Sequence, residues 1–331
     1  MKKIVIFGAT GSTGVYFTDY CRENLDPSLY EVVAVGRKTP DFFKAAGIRC
    51  ERVDIRSDAD FAKLPQTDVH AVVNMTGLLP AYMRRFDPFA YVETNIGGSL
   101  RILEYARKVG ADRALYTQTW AEMAAFWGRE EVLRPTMNHA LKYTGDHAFY
   151  TISKTAVTDM MRFYQEEYGV LSFVFRLPNI YLYNPVKTYF VDGVERPIAY
   201  RYMIDRVRAG EDLEMWGDPD AFKDIIYVKD LCQMMFKALF APVRGGVYNA
   251  GTGVKTTLRE QLEGIAEVFS PEGRRVNIVP RPEKSGFVSF VMDIENARAE
   301  LGYEPRYDYI SYLKDYKREM ELKRFDSLWT K

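Results

Sequence analysis

Residues 4 to 14, IVIFGATGSTG, constrain the fold more than any other stretch of the chain. Apolar Ile4 to Phe7 run directly into Gly8, Gly11 and Gly14, and a helical pattern continues from Val15 to about Asn24. A short apolar run ending in glycines predicts a buried parallel strand that stops at a tight turn. The turn feeds a helix whose free N–H groups point back at the strand's carboxyl end, which is a phosphate site. Gly8 allows the turn, Gly11 lets the backbone approach a pyrophosphate, and Gly14 lets the helix pack on the strand. Ser12 or Thr13 is expected to cap the helix. The spacing is G-x-x-G-x-x-G, and an ordinary strand-to-helix turn without a ligand would also produce it.

The first half continues the alternation. Strands are predicted at Glu31–Val35, Arg49–Val53, Ala71–Asn74, Ala114–Thr117 and Leu171–Arg176. Helices are predicted at Pro40–Ala46, Asp58–Leu64, Tyr91–Val109 and Tyr150–Tyr168. Such alternation gives βαβ units and a doubly wound parallel α/β sheet of the Rossmann type. Ligands then bind beyond the carboxyl ends of the strands. After Pro178 the pattern loosens, with helices expected at 198–209, 228–240, 257–269 and 294–301 and a charged helical tail from Tyr309. The expected division is a dinucleotide-binding domain over residues 1–178, joined by returning segments near 225–250. A smaller α/β substrate lobe takes most of 179–331, and a cleft lies between the two.

Bulk charge excludes some partners. Lys plus Arg and Asp plus Glu both number 45, so nothing argues for nucleic acid or an anionic membrane surface. Cys21, Cys50 and Cys232 are odd in number and far apart, which suits a reducing cytoplasm and neither a disulfide framework nor a metal site. Lys2 and Lys3 precede a run too short for a signal peptide, and no stretch is long enough to span a membrane.

Tyr150-Thr-Ile-Ser-Lys154 carries the strongest chemical signal. Residues four apart share a helix face, so phenol and ammonium point into one site. A neighbouring lysine is expected to lower the tyrosine pKa from about 10 toward working pH. Such a tyrosine can exchange a proton with an alcohol while hydride moves at the carbon. A second Y-x-x-x-K at Tyr183–Lys187 contains Pro185, which disfavours a helix there. The strand 114–119 ends in Thr117-Gln-Thr119, whose hydroxyls are placed to meet a reacting oxygen.

Together these pieces resemble the extended short-chain dehydrogenase/reductases, the NAD(P)-dependent nucleotide-sugar epimerase/dehydratase family typified by UDP-galactose 4-epimerase. The similarity spans nearly the whole chain in order. It continues through Val53-Asp54-Ile55-Arg56, Val73-Asn-Met75-Thr76-Gly77, Thr94-Asn95, Arg176-Leu-Pro178-Asn179-Ile-Tyr181, Trp216-Gly-Asp218, Lys223-Asp224 and Asn249-Ala-Gly251 to Leu301-Gly-Tyr-Glu-Pro305. The resemblance implies that Tyr150 is the acid/base and that Lys154 holds the cofactor ribose. Thr119 orients the substrate oxygen, with Thr117 as fallback. It implies cofactor contacts at Gly8, Gly11, Ser12, Thr13, Gly14, Asp54, Ile55, Met75, Thr76, Gly77, Asn95, Thr117 and Pro178. Asn179, Lys223 and Arg281 would contact the sugar diphosphate. Lys223 stands where the family usually has arginine, which keeps the charge without the bidentate geometry.

Two departures matter. NAD-using members carry an acid after the second strand, whereas this chain has Arg37 and Lys38, which suits a ribose 2′-phosphate and favours NADP over NAD. Dehydratases of the family carry Asp-Glu directly after the catalytic threonine. Here Trp120-Ala121 stands there, with Glu122 one place late. That leaves epimerisation or ketone reduction on a nucleotide-activated sugar. Alternatives are reduction of a smaller non-nucleotide carbonyl compound and a non-catalytic NADP-binding regulator. The family often pairs the helices at 91–109 and 150–168 in a homodimer.

Overall fold

The computed structural model describes residues 1–145 and 147–329. Seven strands form one sheet: β1 (Lys2–Phe7), β2 (Tyr30–Gly36), β3 (Arg49–Arg52), β4 (Val69–Asn74), β5 (Arg113–Thr119), β6 (Leu171–Leu177) and β7 (Gly245–Asn249). Their order is β7-β6-β5-β4-β1-β2-β3, and every pair is parallel. This is the Rossmann-type doubly wound sheet expected, extended by a seventh strand that returns from the second half.

Strand periodicity explains the two-sided core. Ile4 and Ile6 face one apolar cluster, with Ala34, Val73, Leu115 and Phe175. Val5 and Phe7 face the other, with Val33, Val35, Val72 and Ile102. Successive side chains point to opposite faces, so a strand buried on both sides has to be apolar throughout. The first helix, Ser12–Asn24, and the helix Val228–Ala238 contribute to the first cluster. Gly98–Lys108 contributes to the second, and His147–Tyr168 packs with it in a third.

The order reverses beside β1, which lies between β2 and β4. Phe7 registers with Asn74, and Asn74 with Tyr116. Gly8 and Met75 therefore leave the sheet at one edge, level with Thr117 near the end of β5, where open α/β sheets bind ligands.

Several elements differ from expectation. Asp58–Lys63 is a 3-10 helix. The helix predicted over 91–109 is an α-turn at Pro88–Tyr91, a π-turn at Val92–Gly97 and an α-helix at Gly98–Lys108. A Cβ on Gly98 would fall 2.5 Å from Ile55 Cδ1, so this segment sits too close to the β3 loop for any larger residue. The tail from Tyr309 is helical as expected, over Tyr309–Leu322, and its Tyr312, Leu313 and Tyr316 are buried in the main cluster. Asp192 and Gly193, at φ 49° and 75°, turn a hairpin between Thr188–Val191 and Val194–Pro197. Tyr183–Lys187 is not helical, and Lys187 pairs with Asp205 at 2.6 Å. No described helix is long and apolar enough to cross a membrane.

Candidate active site

The glycine turn is fixed by backbone crowding. Gly8 has φ +82°, a region that favours glycine. A Cβ on Gly14 would fall 2.0 Å from the Gly8 carbonyl oxygen. A Cβ on Gly11 would meet only that same oxygen, at 3.1 Å, so its outer side is open. The expected capping by Ser12 or Thr13 does not occur: the N-cap is Gly11, and among the described residues no side chain accepts from the N–H groups of the first turn. The first turn also holds no acidic residue. Its N–H groups therefore lack side-chain acceptors, which suits an anionic ligand.

Beyond β2, Arg37 and Lys38 are exposed. Arg37, Arg52, Asp54, Asp60 and Lys63 line a cavity of about 410 Å³. Both acids are engaged. Asp54 pairs with Arg56 at 2.7 Å, which holds its carboxyl down at about 2, and Asp60 pairs with Lys63 at 2.6 Å. Among the described residues neither Arg37 nor Arg52 forms an ion pair, although the Arg37 charge also helps to hold the Asp54 carboxyl down. Ile55 is buried beneath Gly98.

The loop after β4 is cross-braced. Thr76 Oγ1 donates to Asn74 Oδ1 at 2.6 Å. Asn95, buried, accepts from Leu78 N at 2.7 Å and donates to Ser153 Oγ at 2.9 Å. Asn95 thus ties the loop Met75–Leu78 to the helix that carries Tyr150, and its amide is fully used in doing so. Asn95 lies in the π-turn, whose Thr94-Asn95-Ile96-Gly97 sequence carries no sign of a widened turn.

Tyr150 and Lys154 lie on the helix His147–Tyr168, 8% and 3% exposed. Lys154 Nζ donates to the Thr76 carbonyl at 3.4 Å and sits 4.2 Å from the Tyr116 ring centre. A Cβ on Gly77 would come 3.6 Å from the same Nζ. Burial lowers Lys154 to about 7, and burial, then Tyr91, raises Tyr150 above its usual value. The expected depression of the tyrosine is therefore absent here: burial, and then Tyr91, push the phenol up.

A buried cation with one carbonyl partner costs stability. Below about pH 7 Lys154 is charged in folded and unfolded chains alike, and the cost is full. Above that value the folded chain sheds the proton first, so stability rises with pH until the unfolded group titrates at 10.5. Lys154→Met is expected to unfold at a higher temperature than the parent at neutral pH. The gap should close as pH rises toward the unfolded value, and a pH-independent gap would refute this account.

Thr117 is buried at the end of β5, with Oγ1 3.5 Å from the Asn74 carbonyl. Thr119 is partly buried and caps the turn Trp120–Phe126, accepting from Ala121 N at 3.2 Å. Its own N–H donates to Gln118 Oε1 at 2.7 Å. Gln118 Nε2 reaches Glu122 Oε2 at 2.8 Å and Thr158 Oγ1 at 2.9 Å on the tyrosine helix. Glu122 pairs with Arg176, and both are buried. Glu122 is thus bound in a structural network. Pro178 is buried and Asn179 exposed just past β6.

In the second half, Lys223 Nζ lies 3.8 Å from the Phe287 ring centre with no acidic partner among the described residues, and burial lowers it to about 8. The adjacent Asp224 fixes loops, accepting from Thr252 N at 2.7 Å, Gly253 N at 2.9 Å and Met292 N at 3.1 Å. Arg281 differs: it faces Glu214 at 3.2 Å, a carboxylate it shares with Lys284. Among the described residues no cluster of His, Cys, Asp or Glu could hold a metal ion.

Residues 4–251 match the model of the NAD dependent epimerase/dehydratase family. A putative UDP-glucose 4-epimerase of Methanocaldococcus jannaschii is 23% identical over 306 residues, 92% of this chain and 94% of that protein. A dTDP-glucose 4,6-dehydratase of Xanthomonas campestris is 24% identical over 239 residues, 67% of this chain and 64% of that protein. Among solved structures, UDP-glucose 4-epimerase of Thermotoga maritima with UDP-glucose superposes with a TM-score of 0.73 at 22% identity, covering 96% of this chain and 99% of that one. UDP-glucuronic acid 4-epimerase of Bacillus cereus in complex with NAD gives 0.71 at 19%, covering 99% and 100%.

Proposed function

The chain belongs to the NAD dependent epimerase/dehydratase family, and from that premise we propose an epimerase or ketoreductase of a nucleotide-activated sugar with Tyr150 as its proton relay. It is an enzyme of the extended short-chain dehydrogenase type. The observation that carries the reading is the convergence of three groups on one sheet edge. These are the uncapped glycine turn after β1, the buried Tyr150–Lys154 pair beside the β4 loop, and Thr119 at the end of β5.

The residues present fit a dinucleotide. Gly11 leaves the turn open for a pyrophosphate, the first helix turn lacks side-chain acceptors, and Lys154 holds a single long hydrogen bond beside Gly77. Bound there, the nicotinamide supplies the hydride acceptor and donor. Gly8, Gly11, Ser12, Thr13 and Gly14 hold the diphosphate. Asp54 and Ile55 line the adenine side, and Met75 to Gly77, with Thr117 and Pro178, line the nicotinamide side. Arg37, exposed and without an ion pair among the described residues, supports NADP over NAD, with Lys38 beside it. Lys154 holds the ribose hydroxyls. Tyr150 exchanges a proton with the sugar oxygen, which Thr119 orients. Asn179 and Lys223 meet the sugar diphosphate, Lys223 as the cation without a partner. Arg281 serves there only if it leaves Glu214. The substrate side is built from residues after 178, less the segment near 225–250 that returns to the sheet. Phe89, Val92, Leu100 and Phe163 are exposed apolar residues on the segments 88–108 and 147–168, which supports a homodimer through them.

The test is thermal protection by UDP-, GDP-, CDP- and dTDP-sugars, each with NAD or NADP, since a ligand of the folded state raises the unfolding temperature. One sugar nucleotide with NADP is expected to stand out. Its protection should weaken as pH rises through about 8, where Lys223 loses its charge, and should be weak at every pH in Lys223→Ala. Protection by the cofactor alone should survive that substitution. A panel without any protecting sugar nucleotide would overturn the reading.

A further inference from the structure

The segment Leu182–Val186 is pinned to the glycine turn by contacts that no dinucleotide fold requires. Asn184 is 8% exposed, and its Nδ2 donates to Ser12 Oγ at 2.9 Å. The amide cannot be flipped, because Oδ1 accepts from Val186 N at 3.0 Å and from the Arg201 guanidinium. Arg201 is itself buried and binds the carbonyls of Leu182 at 3.1 Å and Asn184 at 2.9 Å, and also that of Val186. Tyr16, one turn along the first helix from Ser12, donates to the Tyr183 carbonyl at 2.9 Å. The segment's carbonyls at 182, 183, 184 and 186 are thus all taken.

The consequence falls on one rotor. A hydroxyl has one proton, and an amide N–H aimed at Oγ occupies a lone pair. Ser12 therefore turns its proton away from Asn184, and no acceptor meets that proton among the described residues. Ser12 opens the first helix turn, directly after Gly11 with its open outer side.

We propose that Asn184, locked by Arg201, is a positioning residue that fixes the Ser12 hydroxyl as a donor to the cofactor's pyrophosphate. The proposal rests on the reading of residues 8–14 as the dinucleotide turn. It means that a segment beyond β6, on the substrate side of the chain, sets the strength of cofactor binding.

The test is a double-mutant cycle read by NADPH and NADH fluorescence titration of the full chain. Ser12→Ala and Asn184→Leu are each expected to weaken binding about tenfold, the scale of one hydrogen bond to a charged group. The double variant should bind no more weakly than either single one, because both remove the same interaction. Asn184→Asp keeps an acceptor for Arg201 but draws the Ser12 proton to itself, and should weaken binding at least as much while folding normally. Unchanged affinity in Asn184→Asp, or losses that add in full, would overturn the proposal while leaving the turn's assignment intact. Failure of the parent chain to bind either cofactor would instead overturn the assignment, and the proposal with it.

Discussion

Replacing Tyr150 with Phe is expected to lower turnover by about 10²–10⁴-fold, the usual contribution of a positioned acid or base. The ring is buried against Tyr91 and His147, so phenylalanine fills the same space and the loss is confined to the hydroxyl. Cofactor affinity should stay close to that of the parent, because Lys154 and the glycine turn are untouched. Burial keeps the phenol protonated at neutral pH, which is the form that gives a proton to a carbonyl oxygen as hydride adds to its carbon. Single-turnover kinetics in the reducing direction, with cofactor binding measured alongside, would check both parts. Turnover within about tenfold of the parent would remove Tyr150 from the relay.

The residues legible in the sequence were those whose roles are set by local geometry. The glycines at 8, 11 and 14 can be read because each answers a backbone demand within its own turn. The core strands can be read because burial on both faces leaves an apolar run with no alternation. Tyr150 and Lys154 could be paired because four residues make one helical turn. What escaped was decided by partners far along the chain. Ser12 has the composition of a cap, yet its oxygen is turned to Asn184, 172 positions away. Glu122 gave no sign of its bond to Arg176, 54 positions on. The tyrosine pKa has a related cause: a lysine four residues away is visible in the sequence, while the burial that raises the phenol is a property of the packed core. The Asp192-Gly193 hairpin differs, because its turn signal is local.

The pair Glu122–Arg176 gives the largest stability effect expected here. Both side chains are nearly inaccessible, 1% and 6% exposed. Arg176 spends its remaining donors on the carbonyls of Pro135 at 2.9 Å, Met137 at 2.8 Å and Arg134 at 3.4 Å. Removing the carboxylate leaves a buried guanidinium without its counter-charge, so Glu122→Ala is expected to cost about 3–5 kcal/mol in urea unfolding at neutral pH. That is a large share of the roughly 5–15 kcal/mol that holds a typical domain folded. Glu122→Gln should cost less, because the amide oxygen still accepts from Arg176. Exchanging both partners, Glu122→Leu with Arg176→Met, should recover much of the loss, since no buried charge is then left alone. A cost below about 1 kcal/mol for Glu122→Ala would mean the pair is solvated. The same arrangement bears on the reaction. This carboxylate is buried, held by a guanidinium on one oxygen and by Gln118 on the other. Glu122→Gln should therefore change the rate only as far as it shifts Gln118 and, through it, Thr119. A rate loss as deep as that of Tyr150→Phe, in a variant that remains folded, would instead make Glu122 a base and return elimination to the candidate reactions.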